Sequence, residues 1–146
     1  MAAKTAAEAG LDVLLIEKRQ EIGEPVRCAE GIGLRSELHE LIDPDPAWIS
    51  SQIEGARLHS PDGSVLSSKG SGSGGYVLER KEFDRGLAVR AAECGAEVLV
   101  KTRAVGLTRS EGRSQVSVFC RGEPAKIEAL LVIGADGVES KTAQWA

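Results

Sequence analysis

The stretch Leu11-Asp12-Val13-Leu14-Leu15-Ile16-Glu17 constrains the fold more than any other part of the chain. A near-continuous apolar run of this length marks a strand buried on both faces of a parallel sheet. Ahead of it, residues 1–9 are dominated by alanine, the strongest helix former, and Gly10 suits the left-handed position that ends a helix. A short helix feeding a buried strand that ends in an acid has the form of the back half of a βαβ unit.

The rest of the chain is read by the same signals. Residues 18–33 form a polar, glycine-containing loop, and residues 34–42 suit a short helix stopped by Asp43-Pro44-Asp45-Pro46. Strands are expected over 52–60 and 64–68, joined by Pro61-Asp62-Gly63, in which proline presets φ and glycine accepts positive φ. Gly70 to Gly75 reads as a flexible link or as a loop that lets backbone approach a ligand. Tyr76 to Glu79 is a short strand and 81–94 a helix, with Phe83, Leu87, Ala91 and Cys94 at helical spacing and Gly95 as its stop. A second buried strand is expected at 96–101. Three antiparallel strands come next, at 103–109, 114–120 and 126–133, and then Gly134-Ala135-Asp136-Gly137 leads into a helix from Glu139. The order predicts an α/β, Rossmann-like sheet carrying an inserted β-hairpin and a three-stranded meander crossover.

Composition removes several function classes. A net charge of -4 without a polybasic run disfavours nucleic acid, and 3% aromatic residues are too few for base-stacking platforms. Apolar stretches fall short of the ~18 residues of a membrane span. Lys4 and Glu8 interrupt any signal-peptide core. Cys28, Cys94 and Cys120 are odd in number and lack metal-ligand spacing, so reduced cysteines in the cytoplasm and no metal are expected.

Five places could carry chemistry. An acid at the end of a second Rossmann strand accepts hydrogen bonds from the ribose hydroxyls of a dinucleotide, so Glu17 fits FAD or NAD better than NADP. The alternative is a solvated acid after a buried strand. In the loop Gly23-Glu24-Pro25-Val26-Arg27-Cys28-Ala29-Glu30-Gly31-Ile32-Gly33, Gly31 and Gly33 let amides approach a flat or anionic ligand, and Arg27 could lower the pKa of Cys28 where the two side chains meet. A surface loop with an incidental cysteine is the alternative. Arg80 opens a helix, where its charge opposes the helix dipole, which tilts the reading toward a cofactor contact; Asp84 and Arg85 read as ordinary helix-face residues. Ala104 is small enough for backbone contact with an adenine ring. Asp136, beside Gly137, can bond a sugar hydroxyl or merely its own turn.

Taken together these motifs resemble the FAD-dependent oxidoreductases of the aromatic-hydroxylase-like fold, and among them the geranylgeranyl reductases. The resemblance rests on 12–19, on Gly23 to Gly31, on Leu78-Glu79-Arg80-Lys81-Glu82-Phe83-Asp84 and on Ile133 to Ser140, with Arg27-Cys28-Ala29-Glu30-Gly31 as its specific element. It implies FAD as cofactor and reduction of prenyl double bonds in isoprenoid lipids such as digeranylgeranylglycerophospholipids. Hydride would pass from reduced flavin to an alkene carbon, and a proton to the other carbon. It implies that Glu17 holds the adenosine ribose, that Cys28, Ala29 and Gly31 lie along the flavin, and that Arg80 and Ala104 contact FAD. Cys28 is then the in-chain candidate for catalysis, and Asp136 and Gly137 are further cofactor-binding candidates. An external electron donor and peripheral membrane contact are also expected.

The family's Gly-x-Gly-x-x-Gly turn and everything after the Gly134 to Ser140 motif are missing. Residues 1–146 are therefore expected to be a partial FAD-binding domain without the substrate portion, inactive as it stands. Two other readings compete: a flavin monooxygenase or halogenase of the same fold, and a non-catalytic remnant.

Overall fold

A computed structural model describes every residue except 34–38, 41 and 70–73. The chain divides into two compact units, Met1–Glu24 with Ala88–Ala146, and Pro25–Leu87.

The first unit begins with helix α1 (Ala2–Glu8) and strand β1 (Leu14–Ile16). Gly10, at φ +79°, ends the helix: its N–H reaches the Ala7 carbonyl while the Leu11 N–H reaches that of Ala6. This is a Schellman closure, in which a left-handed glycine lets two orphan carbonyls be satisfied. β1 pairs in parallel with β7 (Glu97–Leu99), Leu15 opposite Val98. The expected strands over 11–17 and 96–101 are thus present but shorter. They are also half-buried rather than buried on both faces, with Leu11 63% exposed. The reason lies in the sheet, where β1 has β7 as its neighbour among the described residues.

Ala7, Ala91 and Ala96 are buried together with Ala3, Val13 and Cys94 around them. Small side chains permit this close approach of two helix ends. Strands β8 (Thr102–Ser110), β9 (Arg113–Cys120) and β10 (Glu123–Ala129) form the antiparallel meander, with β9 central. Tight turns at Glu111-Gly112 and Arg121-Gly122 have both residues at positive φ, the geometry that matches strand twist. A bulge between Ala104 and Gly106 shifts the register of β8.

The expected strand at 126–133 is corrected to Glu123–Ala129. Its last pair is Ala129 with Ser114, so β9 has only Arg113 left opposite Leu130 and no residue to offer positions 131–133. Leu130, Leu131 and Ile133 are accordingly exposed, not buried. Helix α3 (Lys141–Trp145) starts two residues later than expected, capped by Ser140.

The second unit contains β2 (Gly31–Gly33), β3 (Ile49–Ile53) and β6 (Gly75–Leu78), with β6 in the middle and both pairings antiparallel. A separate hairpin joins β4 (Gly55–His59) to β5 (Val65–Lys69). The single strand expected over 52–60 is therefore two strands with different partners. The chain breaks at Glu54, and Gly55 passes so close to the Ser68 carbonyl that a Cβ there would lie 2.1 Å from its oxygen. The hairpin turn forms at Pro61-Asp62-Gly63 as expected: Gly63 has φ +87°, and Asp62 Oδ1 accepts the Ser64 N–H at 2.9 Å.

Helix α2 (Arg80–Glu93) matches the expectation for 81–94 within a residue and closes at Gly95 as α1 does at Gly10. Tyr76 and Leu78 are buried against Ile32, Ile42, Ile49 and Phe83. Trp48, 4% exposed, meets Phe83 edge-on at 5.4 Å. The helix expected over 34–42 and the link at 70–75 fall largely on residues outside the described set.

Among the described residues, no helix is long and apolar enough to cross a membrane. No group of three or more His, Cys, Asp or Glu among them could hold a metal.

Candidate functional site

In the second unit, strand pairing brings Cys28 and Arg80 together. The loop carrying Cys28 and Ala29 enters β2 at Gly31, and β2 lies along β6, whose end leads directly into Arg80. The Leu78 N–H bonds the Glu30 carbonyl at 2.9 Å, fixing loop to strand. Glu30 itself sits at φ +61°, a left-handed conformation that costs a non-glycine residue strain energy. That kink folds the Glu30 N–H back onto Cys28 Sγ at 3.1 Å.

Arg80 Nη1 donates to the same sulfur at 3.6 Å, and Nη2 donates to both carboxylate oxygens of Asp84 at 2.9 and 3.0 Å. The guanidinium that bonds Cys28 is thus that of Arg80 and not the neighbouring Arg27. Burial alone would lower the pKa of Arg80, but the hydrogen bond and charge of Asp84 outweigh it and the pKa is raised. Its Nε is the one buried side-chain polar atom among the described residues that has no partner. A donor left over beside a thiol suits a ligand rich in acceptors.

Backbone contacts fix the helix start that carries Arg80. The Glu79 N–H bonds the Trp48 carbonyl at 2.9 Å, and Gly86 packs so tightly on the indole that a Cβ would fall 2.5 Å from Trp48 Nε1. Gly31 differs. A Cβ there would meet only the Ala29 carbonyl oxygen, at 3.9 Å, so the chain's own packing does not demand glycine at this position. Cys28, Ala29 and Gly31 are all exposed.

In the first unit, Glu17 stands just beyond β1. Its backbone N–H bonds the Leu99 carbonyl, and its carbonyl accepts the Thr102 N–H, both at 2.8 Å. One carboxylate oxygen, Oε1, accepts the Arg19 N–H at 2.8 Å. That bond orients a half-buried side chain, and Oε2 makes no hydrogen bond among the described residues. Ala104, half-buried on β8, pairs with Val118 immediately before the bulge.

Asp136 is committed to a helix cap. Oδ1 accepts the Ser140 hydroxyl at 2.6 Å, while Oδ2 accepts the N–H groups of Lys141 and Thr142 at 2.7 and 3.0 Å. Ser140 first, then these amides, hold the carboxyl far below the ordinary range for aspartate. Gly137, at φ +84°, is required by the turn.

Sequence reasoning missed two participants. Asp84 orients Arg80 and is more than a helix-face residue, and the signal was its spacing four residues on, which places opposite charges together on a helix. Glu30 matters through its backbone, for which a glutamate in a loop gives no cue.

The profile of the family described as FAD binding domain matches residues 1–146. A digeranylgeranylglycerophospholipid reductase of Methanothrix thermoacetophila is 59% identical across the whole chain, which spans 38% of that protein. The crystal structure of a geranylgeranyl bacteriochlorophyll reductase-like protein of Thermoplasma acidophilum superposes with a TM-score of 0.87 at 41% identity, over 99% of this chain and 38% of that one. A flavin-dependent halogenase shares the fold, with a TM-score of 0.72 at 19% identity over 98% of this chain and 28% of its own. The chain therefore spans well under half the length of the relatives it matches.

Proposed function

The chain belongs to the FAD binding domain family, and from that premise we propose that it serves a reductase of prenyl double bonds in isoprenoid glycerophospholipids. The observation that carries this reading is the Arg80–Cys28 contact built on the strained Glu30 kink, within a chain 59% identical to a digeranylgeranylglycerophospholipid reductase. Reduced FAD, when bound, supplies the hydride for such an alkene.

The chain's own residues bind and orient. Glu17 has a free carboxylate oxygen to accept ribose hydroxyls, and Ala104 offers backbone and a small side chain to the adenine. Cys28, Ala29 and Gly31 lie along the flavin, where the side-chain-free Gly31 allows flat contact. Arg80, held by Asp84, keeps a positive charge and an unused Nε–H there. Cys28 is the catalytic candidate, with its sulfur held by two N–H donors beside the reacting carbons. Asp136 and Gly137 support the cofactor through the turn they shape. The lipid substrate implies work at a membrane surface, with electrons from an external donor.

The chain by itself is expected to be inactive, so anaerobic incubation of a flavin-reduced full-length protein that carries it with a digeranylgeranyl glycerophospholipid tests the proposal. Loss of alkene in step with flavin oxidation is expected. Oxygen-dependent hydroxylation or halogenation of an aromatic substrate, with no alkene loss, would favour the monooxygenase reading and overturn this one.

A further inference from the structure

The first unit carries a second surface that the reductase reading leaves unused. Lys18, Lys101, Arg103 and Arg121 line one shallow, open groove together with Gln20 and Phe119. All four cations are exposed, and among the described residues no carboxylate forms an ion pair with any of them. Arg103 and Phe119 are register partners on β8 and β9, so their side chains stand side by side on one face of the meander. Phe119 is 47% exposed.

The backbone beneath this face is locked. Lys101 N–H bonds the Arg19 carbonyl and Arg121 N–H bonds the Lys101 carbonyl, both at 2.8 Å. Lys101 and Arg121 each hold φ at +53°, a conformation that glycine would adopt without strain. Two strained positions thus carry cations, in a chain whose net charge is -4. An acidic protein would be repelled from an anionic surface unless a local basic face were turned toward it.

We propose that this face docks the protein on an anionic lipid surface, with the cations meeting headgroup phosphates and Phe119 entering the interface between them. The cations come from strand β8 (Arg103) and from three separate turns (Lys18, Lys101 and Arg121) around an exposed ring, an arrangement that meets a plane. The proposal rests on the glycerophospholipid reading, because a substrate of that class resides in such a surface.

Co-sedimentation of the 146-residue chain with vesicles tests it. Binding is expected to phosphatidylcholine vesicles doped with phosphatidylglycerol and not to pure phosphatidylcholine, and it should fade as salt rises. Each cation removed should lower partitioning about fivefold, so Arg103→Ala with Arg121→Ala should lower it roughly 25-fold. Arg109→Ala, which removes the same charge from the same sheet outside the groove, should leave it unchanged. Phe119→Ser should weaken binding without altering its salt dependence.

Equal binding to both vesicle types would overturn the proposal. So would full binding by the double variant with an unchanged circular dichroism spectrum, or ATP binding to the vesicle-free chain that the double variant abolishes. These vesicles contain no prenyl lipid, so the result is independent of the chemistry. Prenyl reduction by a full-length protein carrying this chain in detergent micelles, where no docking is needed, tests the reductase reading by itself.

Discussion

Replacing Gly86 by alanine should destabilise the protein, although the helix-propensity scale says the opposite. In an ordinary helix interior this change gains about 1 kcal/mol. Here the new Cβ would lie 2.5, 2.6 and 2.7 Å from Nε1, Cζ2 and Cε2 of Trp48. The indole cannot swing away freely. It is 4% exposed, packed edge-on to Phe83, and its backbone carbonyl holds the Glu79 N–H. Overpacking of this kind costs about 1–3 kcal/mol, so the net effect should be a loss of up to about 2 kcal/mol. Urea denaturation read by tryptophan fluorescence measures it. In a Trp48→Leu background the obstruction is gone, and the same substitution should turn stabilising by about 1 kcal/mol. Because Trp48 fixes the start of α2, Gly86→Ala should also loosen Arg80 and weaken FAD binding. A stability gain from Gly86→Ala with Trp48 intact would refute the packing argument.

Other expectations concern the cofactor and the cap. Glu17→Ala should weaken FAD affinity by about 1.5–3 kcal/mol, the range for a charge-assisted hydrogen bond, while Glu17→Gln, which can keep accepting from Arg19, should lose less; isothermal titration measures both, and equal affinities throughout would remove Glu17 from the ribose. Cys28→Ser should slow alkene reduction more than flavin reduction in stopped-flow traces of the flavin-loaded enzyme, and equal slowing of both steps would take Cys28 out of the chemistry. The lowered pKa of Asp136 means that its cap is present above the unfolded-state value of about 3.9 and is lost only as pH falls through the folded value. Amide exchange at Lys141 and Thr142 should therefore stay protected at pH 4 and open in stronger acid, whereas Asp136→Ala should open both at neutral pH.

The parts of the fold legible in the sequence were those written in local chemistry. Gly10, Gly95 and Pro61-Asp62-Gly63 marked their helix ends and turn directly, because positive φ selects glycine whatever surrounds it. The meander was legible in its first two strands. Its third was displaced because Leu130, Leu131 and Ile133 look like a buried strand, while the pairing that defines β10 is decided by where β9 begins. The single strand read over 52–60 failed for a similar reason: Glu54 carries no breaker signal, and the switch of partner is a tertiary event. In the candidate site, Glu17, Cys28 and Arg80 could be chosen by position and type. The Glu30 kink could not, since it depends on a contact made only once β2 lies against β6, whereas the service of Asp84 to Arg80 was written in their four-residue spacing on one helix. The sequence allows Asp136 to be a ligand or a turn residue, and its three bonds to the helix start give it a turn role that the sequence alone cannot favour.

Titration of the chain with FAD decides whether these residues hold the cofactor. Saturable binding of one FAD per chain is expected, with quenched flavin fluorescence and a shifted flavin absorption band, and Glu17→Ala should weaken it. Flavin fluorescence and absorption that remain those of free FAD at every protein concentration would contradict the assignment.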